Sequence, residues 1–269
     1  MNWIPILTGV PYDFFEGLLI LASVLSILVI VIILMVIKKL DITKELVYSI
    51  AKGSVQLFII AGLLVILFDM DLWYLGIWGF LGMMVVISGH ISAKRATKMP
   101  DAYKVTTPSI LTGAGTVLAV LAVTGAMPIA RPEFIIPLSG MAFGNSMRIC
   151  SLCMERLISE VRQNRVEIET SLSLGADSKE AIRKHADTSI KASLIPTLDN
   201  LKTLGIIFIP GAMSGLLMGG TAPEMAAIYQ IIVYLMIVGG GAISTIMATY
   251  LAERKVFNKK EQLREWVYS

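Results

Sequence analysis

The first long stretch without a charged residue covers residues 17–37, "GLLILASVLSILVIVIILMVI". As an α-helix it would rise about 31 Å, which matches a hydrocarbon core of roughly 30 Å. A segment in lipid must satisfy its own backbone hydrogen bonds, so it folds as a helix or joins a closed barrel. The sixteen residues before it contain no Lys or Arg, so the basic region of a signal peptide is missing. We therefore expect a retained membrane-spanning helix.

Further apolar stretches follow along the whole chain. Hydrophobic residues make up 55% of the 269 residues and charged residues only 16%, which is typical of a polytopic membrane protein. We predict an all-α fold with about seven transmembrane helices. They are expected at 17–37, 46–68, 72–91, 105–130, 134–153, 201–218 and 222–251.

The basic residues are distributed unevenly between the two sides of the predicted helices. Of the 23 Lys and Arg residues, only Arg131 falls in a segment that would be outside if the N-terminus is outside. Cytoplasmic loops are enriched in Lys and Arg, so the pattern favours an outer N-terminus and a cytoplasmic C-terminus. We expect a multi-pass protein of the plasma membrane.

Residues 155–200 form the only sizeable charged stretch inside the chain. Apolar residues recur at helical spacing before and after a break near Gly175. A glycine there suits the left-handed residue that closes a helix, and Asp177 with Glu180 has the spacing of a capping box. The stretch therefore predicts a cytoplasmic helical hairpin between helices five and six, returning to the membrane through Pro196. A solvated loop is the alternative.

Helices five and six contain helix breakers and closely spaced glycines. Gly140 and Gly144 form one GxxxG step, and two overlapping steps follow Pro210 at residues 211, 215 and 219. A broken membrane helix exposes backbone groups that must face protein or a water-filled path. These helices are candidates for a transport pathway, although tight helix packing explains the same spacing.

No catalytic motif is present in the sequence. It contains no GxxxxGK[ST] phosphate loop, no HExxH and no GxSxG, and its only histidines are His90 and His185. We expect a non-enzymatic chain with no cofactor of its own and no nucleic-acid partner. If ATP drives transport, another polypeptide must hydrolyse it.

Residues 169–175, "ETSLSLG", resemble the EAA-xxx-G loop with which permeases of ATP-binding-cassette transporters dock on their ATPase. Thr170 and Ser171 stand in place of the two alanines. The stretches "SVQLFIIAG", "PLSGMAFGNSM", "LIPTLDNLKTLGIIFIPGAMSGLLMGG" and "APEMAAIYQ" resemble the FetB-like family of iron-export permeases, which is related to plant aluminium-sensitivity proteins. The resemblance implies one permease domain over 1–269, a homodimer, and a separate cytoplasmic ATPase that contacts residues 155–200.

Two groups of site residues follow from the hairpin and from this resemblance. The ATPase-docking candidates are Glu169, Leu174, Gly175, Ala176, Asp177 and Glu180. The pathway candidates are Gln56, Met141, Asn145, Met147, Cys150, Pro210, Gly211 and Met213.

A metal site is not defined by the sequence. Met147, Cys150 and Met154 would share one helix face and could offer soft ligands to a transition metal, but Met and Cys are also ordinary packing residues. The first functional hypothesis is an ATP-driven exporter of metal ions. The alternative is a motor-independent carrier or sensor whose cytoplasmic loop binds a regulator. Ion-coupled carriers commonly place a charge at the membrane midplane. Apart from Lys52, Arg148 and Lys202, whose long side chains can reach the inner surface, the predicted helices lack one, which favours the first hypothesis.

Overall fold

The structure is a computed structural model that describes residues 14–69, 73–96, 99–129 and 131–268. In these residues the chain forms α-helices and no extended β-strand, so the all-α prediction is confirmed. The helices are α1 (Phe14–Ile37), α2 (Thr43–Asp69), α3 (Trp73–Arg95), α4 (Tyr103–Val123), α5 (Pro132–Gln163), α6 (Arg165–Ser173), α7 (Ser178–Lys202), α8 (Gly211–Met218) and α9 (Pro223–Val256).

Among the described residues, five helices are long and apolar enough to cross a membrane. These segments are Gly17–Ile37, Thr43–Leu67, Tyr74–Arg95, Tyr103–Val123 and Pro223–Val256. They correspond to predicted helices one to four and seven, although the predicted ends at Leu72 and Ala130 lie outside the described residues. Helix α4 ends at Val123, before the predicted boundary, because the chain turns at Gly125 with a φ of 75°.

The predicted fifth span is part of a longer helix. Helix α5 has 32 residues and would rise about 48 Å, more than a membrane core requires. It continues without a break from the apolar stretch, which includes Arg148, to the charged residues that end at Gln163. The predicted boundary at residue 153 is therefore not a helix boundary.

The predicted sixth span, 201–218, is not one helix. Helix α7 continues through Pro196 and ends at Lys202, the chain is non-helical from 203 to 210, and α8 has only eight residues. Gly205 has a φ of 76°, outside the right-handed helical region, so one helix does not run through this region, and Pro210 stands directly before α8. A rise of about 12 Å is too short to cross a membrane, and the count of seven spans is not confirmed.

The chain divides into two compact units. The first contains residues 1–73 with 218–220, and the second contains 74–217 with 221–269. In the first unit, the apolar side chains of α1 and α2 are almost all exposed. In the second, α4, α5, α7 and α9 pack together around fully buried side chains such as Ile110, Leu138, Leu157 and Val233. The prediction of one permease domain over 1–269 stays a prediction.

Glycines allow three helices of the second unit to approach closely. A methyl group at Gly113 on α4 would overlap the Ser244 hydroxyl and the Gly240 carbonyl of α9, and one at Gly241 would overlap Ile149 of α5. Three of the five glycines in the predicted GxxxG steps do not have this role. A methyl group at Gly144 would meet nothing within 4 Å, and the same holds for Gly211 and Gly215.

Candidate functional site

The turn between α6 and α7 has the geometry that its glycine predicts. Gly175 has a φ of 97°, a left-handed conformation that costs little only for a residue without a Cβ. Its N–H bonds to the Leu172 carbonyl at 3.0 Å, and the Ala176 N–H bonds to the Ser171 carbonyl at 3.1 Å. These two bonds form a Schellman motif, which satisfies the last carbonyls of α6.

The next helix begins with the predicted cap. The Asp177 carboxylate accepts a hydrogen bond of 2.7 Å from the Glu180 N–H, one of the donors that α7 cannot satisfy within its first turn. Glu180 adds negative charge at the positive end of the helix dipole. We call α6, the 174–177 turn and α7 the α6–α7 hairpin.

The docking candidates lie on and beside this turn. Leu174 is 84% exposed, although it lies outside the helices that are long and apolar enough to cross a membrane. Gly175, Asp177 and Glu180 are also exposed, whereas Ala176 and Glu169 are half-buried. The structure therefore brings the docking candidates together in one accessible turn.

An ion pair connects the hairpin helices to each other, and a hydrogen bond connects α7 to α5. Lys184 of α7 bonds to Glu167 of α6 at 2.8 Å, which lowers the pKa of the Glu167 carboxyl and raises that of the lysine. Deeper in the structure, Nδ1 of buried His185 lies 3.3 Å from the Glu160 carboxylate of α5, which also accepts a bond of 3.2 Å from Asn164. Sequence analysis identified neither pair.

Glu169 has a partner that the sequence did not indicate. The Tyr268 hydroxyl donates a hydrogen bond to the Glu169 carboxylate, although 99 residues separate them in the chain. This bond raises the pKa of Tyr268. A cleft of about 690 Å³ lies beside it, lined on one side by α6 and the turn and on the other by residues 260–263 and Tyr268.

The pathway candidates of α5 are mostly enclosed by protein. The Asn145 amide donates to the Met141 carbonyl at 2.8 Å, so its polar group is satisfied within its own helix. Met141 and Met147 are half-buried, while Cys150 and Met154 are fully buried. The side chains suggested as soft ligands therefore do not all face an open path. In the described part of the chain, no three His, Cys, Asp or Glu residues form a group that could hold a metal ion.

The candidates near α8 surround the start of that short helix. Pro210 is buried, Gly211 is exposed, and the Met213 N–H donates to the side-chain carbonyl of Gln230 at 3.1 Å. Gln230 is 3% exposed on α9, so it provides a buried acceptor for an N–H that α8 leaves unsatisfied. Gln56 lies on α2, in the first unit, and its side chain is exposed.

Comparison with known proteins gives extensive matches. Residues 18–257 match the model of the Uncharacterised protein family UPF0014. The chain is 34% identical over 244 residues to the Probable iron export permease protein FetB of Escherichia coli K12, covering 90% of this chain and 93% of that protein. No solved structure gives a significant match.

Plant proteins are similar over almost the full length. Protein ALUMINUM SENSITIVE 3 of Arabidopsis thaliana is 32% identical over 95% of this chain and 93% of its own length. The UPF0014 membrane protein STAR2 of rice is 32% identical over 96% of this chain and 90% of its own length. These matches agree with the resemblance found in the sequence and with the apolar helices. The chain therefore belongs to the UPF0014 family and is a multi-pass membrane protein.

Proposed function

We propose that the chain is the membrane-spanning permease subunit of an ATP-binding-cassette transporter that exports metal ions. ATP is hydrolysed by a separate cytoplasmic ATPase subunit, which docks on the α6–α7 hairpin. The observation that carries this proposal is the exposed Leu174 side chain on a turn held in shape by Gly175 and by the Asp177 cap. An exposed apolar side chain on a turn with a defined backbone conformation is suited to fill a pocket on a partner.

The remaining features of the transporter follow from this assignment. The basic residues favour an outer N-terminus and a cytoplasmic hairpin within residues 155–200, where a soluble ATPase can reach it. Two copies of the chain pair with two ATPase subunits. The exposed apolar faces of α1 and α2 are available to lipid or to the second copy.

Transport requires that movement at the hairpin reaches the membrane. Helix α5 supports such coupling because it is continuous from Pro132 to Gln163 and contacts α7 and α9. When ATP closes the ATPase subunits, the hairpins move and α5 moves with them. The region of α5, α8 and α9 then opens alternately to the two sides.

The proposed substrate is a metal ion of the iron type. Support comes from the name of the Escherichia coli relative, a probable iron export permease, and from the aluminium-sensitivity name of the Arabidopsis relative. Soft side chains in α5, including Met141 and Met147, are suitable for transient contacts with a transition metal.

The docking assignment is tested by substituting two apolar residues that are similarly exposed in the structure. Leu174→Gln should weaken binding of the co-expressed ATPase about tenfold, since it removes one apolar anchor. Val123→Gln is the control, because Val123 is 88% exposed at the far end of α4. Binding is measured with both proteins purified and the permease in nanodiscs. Unchanged binding in Leu174→Gln would contradict the docking site and favour a motor-independent carrier or sensor.

The shape of the turn is tested at its glycine. Gly175→Val should weaken ATPase binding because valine resists a positive φ. Gly125→Val is the matched control, since Gly125 also has a positive φ and open space around its Cα. Substrate class is tested separately, as ATP-dependent uptake of ferrous iron and other divalent metals into inside-out vesicles. If ATP drives uptake of none of these metals, the proposed substrate class is wrong whatever the binding result.

A further inference from the structure

Residues 257–268, which we call the C-terminal segment, fold back on the end of α9. The Arg264 side chain donates to the Phe257 carbonyl at 2.9 Å, and the Trp266 indole donates to the Lys255 carbonyl at 3.0 Å. Leu263 and Val267 are buried. The segment is therefore anchored, and apart from Phe257 it lies beyond the residues that match the family model.

From this anchor the C-terminal segment reaches two other helices. The Arg162 guanidinium of α5 donates to the carbonyls of Trp266 and Val267, both at 3.3 Å. Tyr268 donates its hydroxyl to Glu169 of α6, and its ring lies 5.7 Å from the Arg165 guanidinium. One short segment thus connects α5, α6 and α9.

Helix α6 depends on such external contacts. It has nine residues, fewer than an isolated helix needs to be stable in water. Ile168 is its only fully buried residue, and the side with Leu172 and Ser173 faces the open cleft. Because so little apolar surface holds α6 in place, its polar contacts to α7 and to the C-terminal segment determine its position.

We propose that Tyr268 is a positioning residue, through which the C-terminal segment braces α6 so that movement at the docking turn is transmitted to α5 and α9. The inference rests on the proposed function, because it assigns the brace a role in coupling to the ATPase. Without the brace, α6 can move into the cleft, and part of the displacement imposed at the turn is lost there. ATP is then hydrolysed with less transport.

The test uses the full chain and removes one hydroxyl group. Tyr268→Phe should speed hydrogen exchange of the amides in 165–173 roughly three- to tenfold, the effect of losing one hydrogen bond. Tyr250→Phe is the matched control. Tyr250 is 43% exposed against 48% for Tyr268, and its hydroxyl binds Arg254 on its own helix. The permease is measured alone, in nanodiscs.

The coupling role has its own measurement. In vesicles that contain the permease and its ATPase, Tyr268→Phe should lower the amount of ferrous iron transported per ATP hydrolysed, while hydrolysis continues. A contact that only stabilised the fold would lower both rates together. If Tyr268→Phe leaves the hydrogen exchange of residues 165–173 unchanged, Tyr268 does not brace α6. If exchange becomes faster but the iron transported per ATP hydrolysed stays the same, the brace has no role in coupling.

The two proposals fail in different ways. The exchange experiment contains no ATPase, so its result does not depend on whether Leu174 is a docking residue. If Leu174→Gln leaves binding intact while Tyr268→Phe speeds exchange and lowers the ratio, the docking site is wrong and the brace stands.

Discussion

The core of the second unit and the α6–α7 hairpin are held together by different means. In the core, small residues bring α4, α5 and α9 so close that added atoms overlap a neighbouring helix. In the hairpin, α6 is connected to α7 and to the C-terminal segment by separate polar contacts, such as Lys184–Glu167 and Tyr268–Glu169. A closely packed core has one internal arrangement. The position of a helix that is held by single polar contacts changes when one of those contacts is altered. This is a suitable division between a helix core that moves as one body and the proposed coupling element.

The largest expected effect is in the core. Gly113→Ala should lower the free energy of unfolding by about 3 kcal/mol or more, because the new methyl group meets the Gly240 carbonyl and backbone cannot move aside as a side chain can. Gly115→Ala is the control on the same helix. Its methyl group would lie 4.0 Å from the nearest atom, so the effect should be neutral or stabilising by up to about 1 kcal/mol.

Thermal unfolding of both variants in the same detergent measures the difference. Equal melting temperatures for the two alanine variants would show that α4 and α9 are not packed as closely as described.

A smaller effect is expected where the core meets the hairpin. Glu160→Ala removes the carboxylate that faces His185, whose side chain is buried, and should cost about 1–3 kcal/mol. Glu155→Ala is the control, because Glu155 lies on the same helix and forms only an exposed ion pair of 3.9 Å with Arg95. It should change stability by less than about 1 kcal/mol.

Denaturant unfolding, followed by tryptophan fluorescence, compares the two variants. If Glu155→Ala is the more destabilising, the buried pair does not join α5 and α7 as inferred.

The smallest effect is expected in the exposed hairpin. Lys184 lowers the pKa of Glu167 below its usual value of about 4.3, so the pair stabilises α6 at neutral pH. Its contribution is complete above the unfolded pKa and is lost as the pH falls through the lower folded value. Added salt should weaken the pair, since both side chains are exposed.

Hydrogen exchange of 165–173, corrected for intrinsic rates, should therefore accelerate on acidification below about pH 4. Glu167→Gln should remove this extra acceleration. The same acid response in wild type and Glu167→Gln would assign it to another group.

Local signals in the sequence were sufficient to predict much of the fold. Uncharged stretches predict α1 to α4 and α9 because both length and composition are local properties. The Gly175 turn and Asp177 cap were also predictable, since each depends on backbone groups within a few residues. Helix boundaries in charged or proline-containing segments were not, and the extent of α5 and α8 differs from the prediction for that reason.

Contacts between residues that are far apart in the chain could not be predicted from the spacing of residues in the sequence. Nothing near Tyr268 indicates Glu169 as its partner, and the Gln230 contact with Met213 depends on how α8 and α9 meet. Glycine spacing alone does not say which glycines face a neighbouring helix. Within one copy of the chain, the Gly239–Gly241 run on α9 makes closer contacts than Gly144, Gly211 or Gly215 of the GxxxG steps.

The continuity of α5 also restricts how this chain can change during evolution. Inserting one residue into an α-helix rotates everything beyond it by about 100° and shifts it by about 1.5 Å. An insertion between Asn145 and Glu160 would therefore turn either the membrane half of α5 or its contact with His185 away from its neighbours. The non-helical residues 203–210 have no such register to preserve. Length variation among relatives should accumulate there, while the length of α5 stays constant.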